Sequence, residues 1–180
     1  MRSPPPSAIK RSAQFDSTRQ YRYRLDRHWN GARPPISLIM LNPSRADHQQ
    51  DDPTLRRCIG LAQAWHYGSL IVVNLFAYCT ASPKVLNSVE NPVGDRNDAF
   101  ILQACEIGAC IVLAWGNWGK LHGRDRHVLN LLAPHRDRLY CLGTNRTGQP
   151  RHPLYMPRYT RLIPWTGGNT VRLAELSTWK

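Results

Sequence analysis

The sequence predicts an α/β protein: a single-domain, three-layer α/β/α sandwich around a central, mainly parallel four-stranded sheet. Three observations carry that expectation. Four short apolar runs, at 36–41, 69–74, 109–115 and 139–142, are each bounded by turn signals, as strands buried on both faces are. Helical periodicity fills the stretches between them. The two patterns alternate along 180 residues, enough for one domain with a real core and helices on both faces of a parallel sheet.

Residues 1–18, Pro-rich and basic, read as a disordered arm. The domain proper spans 19–165, and 166–180 reads as a tail with a short helix at 171–176. Tyr21-Arg22-Tyr23-Arg24-Leu25 alternates with the period of a half-buried strand. It predicts an extra N-terminal strand with Arg22 and Arg24 facing outward together. Arg33-Pro34-Pro35 interrupts the pattern before the first core strand. Asp52 can cap a helix whose first position, Pro53, needs no N–H. Leu55, Cys58, Ile59, Ala62 and Trp65 then follow on one apolar face, and Gly68 ends the helix. Residues 36–74 thus form a right-handed βαβ unit. Pro83, Pro92 and Gly94 mark a long loop over 79–94. Asp95 caps a helix running to about Ile107, with Ile101, Ala104 and Cys105 inward. Val128, Leu131 and Leu132 mark another helix before Pro134.

The net charge is +12, and its distribution is uneven. Residues 1–35 carry eight Lys and Arg against two acids, 36–143 ten against nine, and 144–180 six against one. A nearly neutral body with basic ends is an electrostatic footprint for phosphates, and nucleic acid is the expected partner. No apolar stretch is long enough for a membrane helix, and the polar N-terminus lacks the apolar segment of a secretory signal, so no membrane partner is expected and the cytoplasm is the default compartment. Five cysteines, an odd number without C-x-x-C spacing, predict reduced, mostly buried thiols and neither a disulfide framework nor a zinc site.

The candidate chemistry lies where apolar runs end. Asn42, followed by Pro43, Ser44 and Asp47, closes the first run, and Asn74 closes the second. Trp115-Gly116 closes the third, and His152, stiffened by Pro150 and Pro153, follows the fourth. In open α/β sheets ligands bind at the carboxyl ends of the strands. Two amides and an imidazole gathered there make a neutral set of donors and acceptors that suits a nucleobase. Each residue also has a plain reading: an Asn-Pro turn, an asparagine capping the next turn, a surface histidine. Phe76, Trp115 and Tyr155 offer aromatic faces for a base. Arg22, Arg24, Arg146, Arg151 and Arg158 are the candidate phosphate contacts. Asp47, Asp51 and Asp52 could hold a divalent ion, although capping accounts for Asp52. No metal or other cofactor is expected.

Taken together, Leu41-Asn42-Pro43-Ser44-Arg45-Ala46-Asp47, Asp52-Pro53-Thr54-Leu55-Arg56-Arg57-Cys58, Val73-Asn74-Leu75-Phe76-Ala77-Tyr78, Pro92-Val93-Gly94-Asp95, Trp115-Gly116 and His152-Pro153-Leu154-Tyr155 resemble a family of small proteins known only as a domain of unknown function, over roughly residues 21–157. More distantly, the order of sites resembles the uracil-DNA glycosylase superfamily. Leu41-Asn42-Pro43 is similar to its catalytic loop, Val72-Val73-Asn74 to its base-reading asparagine, and His152-Pro153 to its leaving-group histidine. Leu41 stands where that superfamily has glycine, and Leu154-Tyr155 where its DNA enzymes have a Ser-rich wedge. The resemblance implies the sandwich fold, base flipping and hydrolysis of an N-glycosidic bond, with Asn42 placing the water and His152 steadying the departing base. The residues themselves leave alternatives open: a binding module with the same pocket and no catalysis, or an enzyme acting on a free nucleotide.

Overall fold

The computed structural model describes residues 8–44 and 49–167. Its elements are β1 (Lys10–Phe15), β2 (Arg22–His28), β3 (Pro35–Met40), α1 (Pro53–Ala64), β4 (Ser69–Asn74), α2 (Asn97–Ile107), β5 (Cys110–Leu113), α3 (Arg124–Leu131), β6 (Leu139–Cys141) and β7 (Ile163–Pro164). Short 3₁₀ segments lie at Pro83–Asn87, Asn117–Gly123, Ala133–Arg138 and Pro153–Tyr155. The strands form one mixed seven-stranded sheet in the order β1-β2-β4-β3-β5-β6-β7.

The expected four-stranded parallel sheet is only the middle of this one. β4, β3, β5 and β6 run parallel, while β1, β2 and β7 join antiparallel at the two sides. The parallel strands are apolar throughout because both their faces are covered. Ile36, Leu38, Met40, Leu70 and Val72 meet Leu55, Cys58, Ile59 and Ala62 of α1. Ile39, Ile71, Val73, Ile111 and Leu113, which point the other way, meet Ile101, Ala104 and Cys105 of α2 and Val128 of α3. α1 starts as expected: the Asp52 side chain accepts from the Leu55 N–H at 2.7 Å, and Pro53 fills the first turn. Asp95 does not cap α2; its carboxylate accepts instead from the Asn91 amide at 2.8 Å, and the helix begins two residues later.

Three further expectations need correction. Residues 10–15 of the expected disordered arm are β1, paired along its length with β2. Its sequence, KRSAQF, is mostly exposed and lacks apolar alternation, so strand pairing rather than burial holds it. Arg22 does not face outward: it is 4% exposed. The β1–β2 register shifts between Gln14 and Phe15, which pair with Arg24 and Arg22, so Tyr23 is an extra residue in a bulge. The bulge breaks the two-residue period. Arg22 and Leu25, three apart, consequently line the same cavity. Arg24 is also not presented to solvent as a free cation, because its guanidinium pairs with Asp26 at 2.7 Å. The expected helix at 171–176 lies outside the described residues.

Cys58, Cys105, Cys110 and Cys141 are buried and Cys79 is half-buried, all five unbridged. Burial raises every one of these thiols, Cys105 to about 12 and Cys110 to about 11, which leaves little thiolate at neutral pH. Among the described residues no helix is long and apolar enough to cross a membrane.

Candidate functional site

The carboxyl ends of β3, β4 and β5 lie side by side, and the chain leaving each is stitched to its neighbour. The Leu75 N–H donates to Met40 O, Phe76 N–H to Leu41 O and Thr80 N–H to Pro43 O, at 2.9–3.0 Å. A cavity of about 640 Å³ opens there. Of the residues expected to form a site, Arg22, Asn42, Ser44, Asn74, Trp115, Gly116, Arg151, His152 and Tyr155 all line it. The two amides and the imidazole, separated by up to 110 positions, do meet around one space. Phe76 does not join them: it is fully buried on the side of the sheet covered by α2 and α3. Arg146 is exposed and does not line the cavity, and Arg158 borders a second cavity. Asp47 lies outside the described residues.

Asn42 is held in one orientation. Its Nδ2 donates to Pro43 O at 2.9 Å and to Thr80 O at 2.8 Å. Two carbonyl acceptors settle which end of the amide carries nitrogen. Oδ1 is therefore left as an acceptor for the cavity. His152 is fixed in the opposite sense. It caps the 3₁₀ turn Pro153–Tyr155, its Nδ1 accepting from the Leu154 N–H at 3.3 Å. An accepting Nδ1 places the ring proton on Nε2, a donor. Burial holds the imidazole below its ordinary pKa, opposed by the negative charge of Asp52. The neutral tautomer thus prevails at neutral pH.

Asn74 is 1% exposed, and its Nδ2 has no hydrogen-bond partner among the described residues. A buried amide without a partner is costly, and on a cavity wall it is a ready contact for a polar ligand. The backbone beneath it is secured by Asn97, whose Nδ2 donates to Asn74 O at 2.9 Å and Leu75 O at 3.0 Å.

Trp115 and the histidine loop are joined from behind. Trp115 Nε1 donates to Gln149 Oε1 at 2.6 Å, and Gln149 Nε2 donates to Asp125 Oδ2 at 2.8 Å, all three residues being buried. The Gly116 N–H donates to Pro150 O at 3.0 Å. Gly116 has φ +74° and ψ −166°, a region essentially reserved for glycine. This conformation carries the chain from β5 under His152; a Cβ at Gly116 would stand 3.6 Å from that of His152. Tyr155 and Trp118 line the cavity with much exposed aromatic surface, 87% and 39%.

Sequence reasoning missed Thr80, whose carbonyl orients Asn42, and Gln149, which ties Trp115 to α3. Neither carries a sequence signal, because each acts through partners far away along the chain. The two described members of the acidic cluster, Asp51 and Asp52, have structural roles, and Asp52 also lines the cavity. Asp51 pairs with Arg27 at 2.7 Å and Arg11 at 3.3 Å, while Asp52 caps α1 and accepts from Ser44 Oγ at 3.1 Å. Among the described residues no group of three or more His, Cys, Asp or Glu side chains is placed to hold a metal.

No curated protein and no solved structure matches the chain. A family model does, and it spans residues 22–154, reaching from the bulged start of β2 to the 3₁₀ turn behind His152 and so enclosing nearly every residue of the cavity. By that match the chain belongs to the family described as a protein of unknown function, DUF1643.

Proposed function

We propose that the cavity receives a base of a nucleic-acid strand, DNA in preference to RNA, and that the protein hydrolyses the bond between base and sugar, as a uracil-DNA glycosylase-like enzyme. The observation that carries this reading is the pairing of a fixed acceptor, Asn42 Oδ1, with a fixed neutral donor, His152 Nε2–H, on the walls of one cavity. The α/β/α layering and the chain order Asn42, Asn74, His152 support it.

In this reading the water oxygen bonds to C1′ as the C1′–N bond breaks, and the bonding pair leaves with the base. Asn42 Oδ1 accepts one water hydrogen and so aims the lone pair. His152 Nε2–H donates to the negative charge growing on the base, the kind of preorganised contact that gains strength as charge develops. The Asn74 amide satisfies itself on the polar edge of the base. Tyr155 and Trp118 supply stacking faces, the buried Arg22 faces the base within the cavity, and the exposed Arg151 stands near the phosphates. The proton lost by the attacking water is taken up by the base anion through solvent.

The test is incubation of the whole protein with labelled oligonucleotides carrying uracil, hypoxanthine, a mismatch or a hypermodified base, followed by alkali. An abasic break with wild type, lost in His152→Ala, is the expected result. No break in any substrate overturns catalysis. One observation favours a second reading: the Asn42 amide, tied to two carbonyls, cannot take up a proton. A binding module without catalysis would shift the intact strand on a gel and release no base.

A further inference from the structure

A second cavity, of about 650 Å³, lies beyond the wall that His152 builds. Its floor is the outer face of α1, where Pro53, Arg56, Arg57, Gly60 and Gln63 recur at helical spacing. Its far side is Leu154 and Arg158. The 3₁₀ turn Pro153–Tyr155 thus stands between two cavities: His152 and Tyr155 line the first, Leu154 the second.

Three features of this groove point to an anionic strand. Three arginines border it, the Arg56 guanidinium also donating to Asp51 O, while none of its lining residues among the described ones is acidic. Arg158 is held there by the fold: Met156 is buried in the core on one side of it, and on the other Trp65 Nε1, at the end of α1, donates to Thr160 O at 2.8 Å. The second feature is Gly60. Glycine is the poorest helix former after proline, yet it sits inside α1 with no described residue within 4 Å of where a Cβ would be. Among the described residues no contact calls for glycine at this position; it deepens the groove between the arginines. The third is aromatic. Tyr155, on the dividing turn and lining the first cavity, and Tyr159, which follows the groove residue Arg158 in the chain, are 87% and 84% exposed and flank the groove rather than line it. Cationic grooves edged by exposed aromatic rings are what bind unpaired nucleic acid, phosphates on the arginines and bases on the rings.

We propose that this groove is the track for the sugar-phosphate backbone of a single-stranded nucleic acid, with Arg56, Arg57 and Arg158 as its phosphate contacts. The proposal rests on the reading of the first cavity as a base site, and it defines that site's substrate as one unpaired nucleotide within a polymer. The strand crosses the dividing turn, with a base in one cavity and flanking phosphates in the other. A free nucleoside would leave the groove empty.

The experiment is fluorescence anisotropy with a labelled single-stranded oligonucleotide across a salt series, using the full chain. Each phosphate contact on a single strand contributes about 0.7 to the slope of log K against log salt. Arg57→Ala and Arg158→Ala are each expected to lower the slope by about that amount, and Arg57→Lys to keep it. Arg136→Ala, in the 3₁₀ segment before β6 and at the opposite end of the sheet, is expected to leave it unchanged. Gly60→Leu, checked for folding by circular dichroism, is expected to weaken binding at least tenfold by filling the floor. Duplex of the same sequence is expected to bind at least tenfold more weakly than the single strand.

An unchanged slope in both alanine variants overturns the proposal. So does preference for duplex, or arginine-dependent binding confined to phosphatidylserine vesicles. Failure of the base site reads out separately: no base release and no effect of His152→Ala on affinity, with the arginine slopes still reduced, sinks the first cavity's reading and leaves the groove standing.

Discussion

Gln149→Leu should be among the most damaging single changes near the cavity, although Gln149 touches no ligand in the proposed scheme. The side chain gives up two bonds at once. The Trp115 indole N–H loses its acceptor at 2.6 Å in a buried place, which costs about 1–3 kcal/mol. The Asp125 carboxylate loses a donor at 2.8 Å, a hydrogen bond to a charged group worth about 1.5–3 kcal/mol. Asp125 keeps the Arg126 N–H at 2.8 Å on its other oxygen, so the sum belongs in the middle of the range, about 4 kcal/mol. Against a domain stability of about 5–15 kcal/mol this is a large fraction, and for a chain of this length it lowers Tm by roughly 10 °C. Urea titration and thermal melting followed by circular dichroism measure it. The pairing with Trp115 is isolated by a double-mutant cycle with Trp115→Phe: once the indole N–H is gone, Gln149→Leu should cost at least 1 kcal/mol less. A loss below about 1 kcal/mol for Gln149→Leu, or strict additivity in the cycle, would refute the claim that this buried chain holds the histidine loop against β5.

Gly116→Ala is expected to cost about 1–3 kcal/mol through backbone strain alone, since the Cβ itself has room at 3.6 Å; a melting curve reads it. Asn74→Leu should raise stability by about 1 kcal/mol, by removing an amide whose Nδ2 is unpartnered among the described residues, while abolishing base binding. A variant that loses both, measured by urea titration and ligand titration, would show the amide to be structural. His152 gives a pH signature. Its folded pKa lies below the ordinary 6.5, so the unfolded chain takes up the proton first as pH falls. Its contribution to stability is complete above pH 6.5 and is lost as pH drops from there through the depressed folded value. His152→Gln should flatten that acid limb in both stability and ligand binding, and an unchanged pH profile would remove His152 from the proton-sensitive step.

The parts of the fold that were legible are those where burial alone dictates sequence. β4 ends at Asn74, as expected from its apolar run, because a strand covered on both faces has no room for polar residues before its end. The start of α1 was legible because Asp52 and Pro53 act locally. β1 was not, since an exposed edge strand needs only backbone pairing and leaves no hydrophobic period. The two-residue period puts Arg22 on the outer face, but one extra residue, Tyr23, resets the alternation, and only the partner strand reveals a bulge. Phe76 illustrates a similar limit: two residues beyond Asn74 the chain turns into the other half of the core, and neighbours in sequence part company. The meeting of Asn42, Asn74 and His152 was foreseeable from their positions at strand ends. The orientation of Asn42 depends on Thr80, 38 residues away, and could not be foreseen.

The two borders of the sheet have a consequence for how the molecule behaves at high concentration. An open border of unpaired backbone groups invites another chain to add its own strand. Here, among the described residues, one border is β1, whose exposed Lys10 repels its own copies while Arg11 is paired with Asp51. The other is β7, only two residues long and ending in Pro164, which has no amide hydrogen to offer. Both flanks discourage self-templated growth. The hydrophobic interior of the parallel strands is thereby kept from spreading between molecules, and long-lived solutions of the pure protein should stay free of fibrous aggregates.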